Sequence, residues 1–272
     1  MKTWLIRTLL AFWIAAQCLT AANAHDTWVE TNSPLVRLGD NVYVELKLGN
    51  HGNDHRDFKL AGKVGLDVCQ IAIVSPSGDK FDLKPQFVDM GMTAKEGYWA
   101  SRFITKVPGS HVVAMSSESL RGKTRSMKSA KAYFLASAKL DELSAAEVGF
   151  DQPLGHELEI VPLTTPVTNT RPGQPIRVRI LLRTKPMKGA RVSFIPRGTI
   201  LEEGFDKAFE RETTEDGIAE YSPKEGNVIL IVVHHSAPEL KGEGFDDTKY
   251  SATLTITVPQ QNPLAARTIS SK

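Results

Sequence analysis

Three groups of histidines carry the chemistry that this 272-residue chain offers. His25 follows Ala22-Asn23-Ala24, a run with small residues at −3 and −1 of a processing point. Cleavage after Ala24 gives His25 an imidazole and a free α-amine on one residue. That amine has a reference pKa of about 7.7–8.0, so a metal displaces its proton near neutral pH. The two nitrogens together chelate a borderline metal as a histidine brace does. The second group is His51-Gly52-Asn53-Asp54-His55-Arg56-Asp57. Its two imidazoles, four residues apart, fall on one side of a helix or extended segment, and Gly52 and Asn53 let a loop fold them together. Imidazole suits Zn, Cu and Ni, and aspartate adds an oxygen ligand. The third group is His234-His235. In a strand these neighbours point to opposite faces, so at most one faces a given site, and the sequence does not say which.

The remaining candidates read as packing. His111 falls within an apolar segment, His156 in a connection, and Cys69 beside Val68 and Ile71. Met90-Gly91-Met92 has thioethers that suit Cu(I), but two methionines among apolar neighbours pack more often than they ligate. The chain has no Gly-x-Ser-x-Gly elbow, phosphate loop, His-Glu-x-x-His or Cys-x-x-Cys.

The elements that must position these groups read as strands. Residues 42–48, 176–180 and 250–258 alternate apolar and polar with period two, as strands with one wet face do. Residues 228–233 form an unbroken apolar run rich in β-branched side chains, which predicts a strand buried on both faces. Further strands are predicted over 70–74, 98–104, 110–115, 130–137, 157–161 and 190–195. Ser75-Pro76-Ser77-Gly78, Pro108-Gly109, Arg171-Pro172-Gly173 and Glu215-Asp216-Gly217 mark turns between them. Helical signals are short and confined to 141–148 and 204–211. Short strands without a βαβ rhythm predict an all-β fold of two consecutive antiparallel β-sandwiches, immunoglobulin-like or transthyretin-like.

Residues 1–24 read as a signal peptide, with Lys2 and Arg7 at its positive start and a short apolar core. That core is too short to span a bilayer as a retained helix, and Gln17 before Cys18 does not fit a lipoprotein anchor. The expected destination is the periplasm. Residues 25–138 form the first sandwich, 139–155 a linker, 156–259 the second sandwich and 260–272 a flexible tail. Loss of Lys2 and Arg7 lowers Lys+Arg from 33 to 31, level with the 31 Asp+Glu. A mature chain of zero formal charge has no field of one sign to draw nucleic acid or an anionic membrane. Only Cys69 remains, so no internal disulfide forms and stability must come from a packed core.

Several motifs lie in a familiar order. His25-Asp26-Thr27-Trp28-Val29-Glu30 follows the leader, and Pro162 follows the strand at 157–161. Gly189-Ala190-Arg191-Val192 then precedes Thr214-Glu215-Asp216-Gly217 and Val233-His234-His235. Over nearly the whole mature chain this resembles the domain of unknown function 4198 family, whose described members are periplasmic proteins associated with nickel uptake. The second half by itself resembles transthyretin-like and carboxypeptidase-regulatory-like sandwiches, which usually bind or support rather than catalyse. The family resemblance implies an exported β-sandwich protein that handles Ni²⁺ or Co²⁺. His25 matches the family's first mature residue and His234 its histidine after the last buried strand. His51 and His55 lie where relatives carry histidine-rich residues.

The expected function is therefore periplasmic capture or delivery of a divalent transition metal (Ni, Co or Cu, with Zn possible). His25, His51, His55 and one of His234 or His235 would be the ligands, and a membrane metal transporter a candidate partner. Ligand physics alone favours Cu²⁺ over Ni²⁺; nickel enters through the family. Two alternatives differ in class. One is an envelope module that binds a glycan or protein without metal, with Trp28, Tyr98 and Trp99 as a stacking platform. The other is a copper oxidase built on the His25 brace.

Overall fold

The computed structural model describes residues 25–260 apart from 53, 54, 92, 94, 142 and 144–146, and for 50–59 and 61 it describes the backbone alone. The first half contributes β1 (His25–Thr31), β2 (Leu35–Arg37), β3 (Asn41–Gly52), β4 (His55–Gly62), β5 (Cys69–Val74), β6 (Lys80–Asp82), β7 (Val88–Asp89), β8 (Trp99–Ile104), β9 (Gly109–Arg121) and β10 (Thr124–Ser137). The second half contributes β11 (Leu158–Pro162), β12 (Ile176–Leu182), β13 (Lys185–Pro186), β14 (Arg191–Pro196), β15 (Glu210–Glu212), β16 (Ile218–Tyr221), β17 (Asn227–Ala237) and β18 (Asp247–Val258). The protein is all-β, as its alternating pattern predicts.

One long sheet forms the centre, in the order β15-β14-β17-β18-β10-β9-β5-β6, with β2 added to β10. Most neighbours in it are antiparallel. At its middle β10 and β18 pair in parallel, from Thr124↔Asp247 to Ala132↔Thr255. Strands of the two predicted sandwiches thus belong to one continuous sheet. A second sheet, β1-β3-β8-β7 with β4 on β3, covers one face of its first half. A third, β11-β12-β13 with β16 on β12, covers the opposite face of its second half.

Period-two alternation explains this two-sided arrangement. Ile71, Ile73, Val113, Met115 and Phe134 turn to one face and pack on Val29, Val42, Val44 and Leu46. Val192, Phe194, Ile231, Leu254 and Ile256 turn to the other and pack on Ile160, Ile176, Val178 and Ile180. Each fully buried Val, Leu, Ile or Phe is worth about 1.5–3 kcal/mol. The two cores therefore supply the stability that no disulfide provides.

Two expectations change. The helix predicted over 204–211 is absent: 204–209 are turns and loop, and β15 begins at Glu210. Asp206 organises this segment instead, accepting the Glu202 N–H at 3.0 Å and the Ala208 N–H at 2.9 Å. Such local side-chain bonds compete with helix hydrogen bonding. Of the helix predicted over 141–148, positions 142 and 144–146 lie outside the described residues. The segment 51–57 is less of a loop than its composition suggests. β3 runs through Gly52, which pairs with His55 at the start of β4. No helix among the described residues is long and apolar enough to cross a membrane.

Candidate functional site

Cross-strand partners share a face of a sheet. Followed across the central sheet, one row reads Cys69↔Ser117↔Lys128↔Ser251↔His234. Two residues further along, the row on the same face reads Ile71↔Met115↔Ala130↔Thr253↔Val232. The face is thus polar at one end and largely apolar beyond it.

The start of β1 lies over the polar end. Lys128 donates from Nζ to the His25 carbonyl at 2.9 Å and to Thr27 Oγ1 at 3.2 Å. Thr253 Oγ1 donates to the Thr27 carbonyl at 2.7 Å. Asp26 is fully buried. Its Oδ1 accepts from Ser251 Oγ at 3.2 Å and meets His234 Nε2 at 2.5 Å. Burial holds the Lys128 ammonium below its ordinary pKa, and nearby Asp26 draws it part of the way back. With the carboxylate as acceptor, His234 carries its proton on Nε2, and in that tautomer Nδ1 is the basic nitrogen.

The sequence of β1 fixes this placement. Asp26 and Trp28 leave the strand on one side, and His25, Thr27 and Val29 on the other. Trp28 is 1% exposed and packs on Ile195, Leu201, Leu230 and Val232. Its Nε1 donates to Glu30 Oε1 at 2.6 Å, and Glu30 also binds Arg197 and, at 2.9 Å, Lys47. Burial alone would raise the Glu30 pKa; the two cations bring it below the ordinary value. Trp28 thereby anchors β1 and carries Asp26 to His234.

A cavity of about 160 Å³ opens beside the Asp26–His234 pair, with Arg191 and Ser193 on its wall. Both wall residues are held by buried Glu210, to which Ser193 Oγ donates at 2.7 Å and with which Arg191 forms an ion pair.

The predicted ligands distribute as follows. His234 faces β1. His235 faces the opposite side, its ring stacked on Tyr250 at 6.0 Å. His25 pairs with Asn50, which places the backbone of His51 one residue further along β3 and that of His55 opposite Gly52. The side chains of His51 and His55 lie outside the described residues. Among the described residues, no three His, Cys, Asp or Glu side chains are grouped to hold a metal. His25 and Asp26 leave β1 on opposite sides, so the structure brings Asp26, rather than His25, to His234.

The secondary candidates resolve differently. His111 is buried, stacks on Phe134 at 4.7 Å and has Nδ1 3.0 Å from the Gly109 carbonyl; burial pushes its pKa down. His156 is pushed down to about 4, first by burial and then by nearby Lys131. Burial raises the Cys69 thiol to about 11, which makes it a poor nucleophile or ligand at neutral pH. Met90 is exposed rather than packed, and Met92 lies outside the described residues. Trp28 is buried and Trp99 donates its Nε1 to the Val64 carbonyl at 2.7 Å, so the two do not form an open stacking platform with Tyr98.

Sequence reasoning missed Asp26, Ser193, Arg191 and Glu210. Asp26 had a signal: a carboxylate two residues before a tryptophan in an extended segment shares its side of the strand. The Arg191–Ser193–Glu210 set had none, because it depends on a loop returning from β14 to β15.

Among solved structures the chain is similar to a DUF4785 family protein from Legionella pneumophila, at 12% identity and a TM-score of 0.29, over 75% of this chain and 50% of that one. It spans about half the length of that protein. It is also similar to the D0-D1 domain of intimin, at 12% identity and a TM-score of 0.23, over 85% of this chain and 97% of that one. A third likeness is to the adhesin InvE of Yersinia pseudotuberculosis, at 10% identity and a TM-score of 0.23, over 88% and 59%. No curated protein matches the sequence. The model of a domain of unknown function, DUF4198, matches residues 22–237, and the chain belongs to that family.

Proposed function

We propose that this protein is exported to the periplasm, where it captures a divalent transition metal, Ni²⁺ or Co²⁺ by the family resemblance, for delivery to a membrane transporter. The observation that carries the reading is the 2.5 Å contact between Asp26 Oδ1 and His234 Nε2. A carboxylate on one ring nitrogen orients the imidazole and raises the basicity of the other, which is how metal-binding histidines are commonly supported. Here the supporting carboxylate is the residue after His25. Cleavage after Ala24 would add the His25 amine and imidazole at the end of β1 where the His51 and His55 backbones also lie. The ion is cargo in this reading, and no chemistry need follow.

The test is calorimetric titration of protein beginning at His25 with Ni²⁺, Co²⁺, Cu²⁺ and Zn²⁺. One ion per chain at micromolar affinity or tighter is expected, with Cu²⁺ tightest if geometry does not intervene. His234→Ala should weaken binding at least about tenfold, and Asp26→Asn about 10–100-fold. Affinity should fall as pH drops through about 6.5, where imidazoles protonate. Millimolar or absent binding of all four ions would end the proposal.

A further inference from the structure

A second cleft, of about 510 Å³, lies where the 204–209 loop and β15 meet the ends of β16 and the start of β17. Its size is that of a small-molecule site. Phe209 and Tyr221 form an apolar floor, their ring centroids 6.1 Å apart. Tyr221 is stacked in turn on buried Phe194 at 5.3 Å, so this floor is backed by the core of the second half. Lys207, Arg211 and Lys224 line the rim. Glu225 is the carboxylate among the lining residues, leaving a formal excess of positive charge.

The arginine is held in place. Its guanidinium sits 5.8 Å from the Tyr221 ring centroid. Its Nη1 donates to the Lys207 carbonyl at 2.8 Å and the Glu210 carbonyl at 2.6 Å. These bonds fix the group without neutralising it. Among the described residues none of Lys207, Arg211 and Lys224 forms an ion pair. Elsewhere on the same half, Arg183 pairs with Glu157, Lys188 with Glu215 and Arg191 with Glu210. The cleft therefore gathers cations whose charge no neighbouring pair cancels, above aromatic rings.

We propose that this cleft binds a small organic anion, with the carboxylate met by Arg211, Lys207 and Lys224 and a planar apolar body laid on Phe209 and Tyr221. A planar guanidinium binds a carboxylate through two parallel hydrogen bonds, and an aromatic floor favours a flat body over a hydrated inorganic ion. The site is independent of the Asp26–His234 pair, which lies at the far end of β17.

Benzoate is the probe, with benzyl alcohol as the same body without charge and acetate as the charge without the body. Binding is followed in the full chain by NMR shifts of the Phe209 and Tyr221 rings. Saturable benzoate binding at least about tenfold tighter than either comparator is expected, weakening with added salt. Lys207→Ala combined with Lys224→Ala alters two exposed side chains and should weaken benzoate at least about fivefold with an unchanged circular dichroism spectrum. Arg211→Met should abolish the preference for benzoate over benzyl alcohol. The proposal is overturned if benzoate gives no saturable shift up to about 10 mM. It is equally overturned if benzyl alcohol binds as tightly as benzoate, or if the lysine variant binds benzoate unchanged.

Discussion

Lys131 of β10 and Glu159 of β11 form an ion pair whose members are 2% and 1% exposed. It joins the central sheet to the third sheet. Lys131 also donates to the Ile160 carbonyl at 3.2 Å. Glu159 accepts the backbone N–H groups of Leu154, Gly155 and His156 at 2.6, 3.0 and 3.1 Å. The carboxylate is therefore needed by more groups than the ammonium is. Lys131→Met should cost about 3–5 kcal/mol by stranding a buried charge. Glu159→Leu should cost more, because it also strips acceptors from three amides. The double variant should not recover wild-type stability, as a pair with no other partners often does. Urea unfolding of the three variants measures this order.

Buried His111 and half-buried His156 both contribute to the acid response. His156 is held near 4 and His111 is also lowered, both chiefly by burial. An unfolded histidine titrates near 6.5. Between those values the unfolded chain takes up protons that the folded chain refuses, so stability is full above about pH 6.5 and falls as pH drops toward 4. For His156 the loss at pH 4.5 should be about 2 kcal/mol. His156→Gln should flatten the slope between pH 6.5 and 5. The acidic shift of Glu159 acts at lower pH, whereas Glu147, raised by burial, takes up its proton first in the folded chain and offsets part of the histidine loss. An unchanged slope in the variant would refute the assignment.

Two glycines with similar backbone angles should respond differently to alanine. Gly189 has φ +66° and open space where a Cβ would stand. Gly217 has φ +71°, and its Cβ would stand 2.7 Å from the Ile180 carbonyl oxygen and 2.9 Å from the Met187 nitrogen. Gly189→Ala should cost about 1 kcal/mol, the price of a left-handed alanine. Gly217→Ala should exceed about 3 kcal/mol, because the clash is with backbone that cannot move aside. Thermal unfolding separates the two.

Trp28 should matter for position as well as stability. Trp28→Ala should cost about 3–5 kcal/mol as a cavity in the cluster with Leu201 and Leu230. Trp28→Phe keeps most of the packing and loses the bond to Glu30, so about 1 kcal/mol is expected. In the alanine variant, amides of β1 should exchange faster than those of β18, as measured by hydrogen exchange.

Strands were legible where one face is wet. β12 has buried Ile176, Val178 and Ile180 against exposed or half-buried Arg177 and Arg179, and its alternation shows it. β1 was not legible, because Asp26 through Glu30 are all buried and polar residues among them break the apolar pattern. The choice between His234 and His235 depends on which face of β17 meets β1, a question of sheet order that no local pattern encodes. The same holds for Asp26 and His234, which are separated by 208 residues. Lys131 lies in the predicted strand over 130–137, whose pattern does not mark it as interior, and the cover of β11 with its Glu159 buries it.

The parallel seam between β10 and β18 has a consequence for biogenesis. The partner of residues 124–132 is the stretch 247–255, so a chain emerging N-terminus first exposes a long stretch of unbonded backbone until nearly all of it has been synthesised. An open β edge of that kind invites association with other extended chains. Folding that waits on so distant a strand is also slow. This architecture calls for shielding of the newly made polypeptide, and truncation before residue 247 should yield aggregates rather than a smaller folded product.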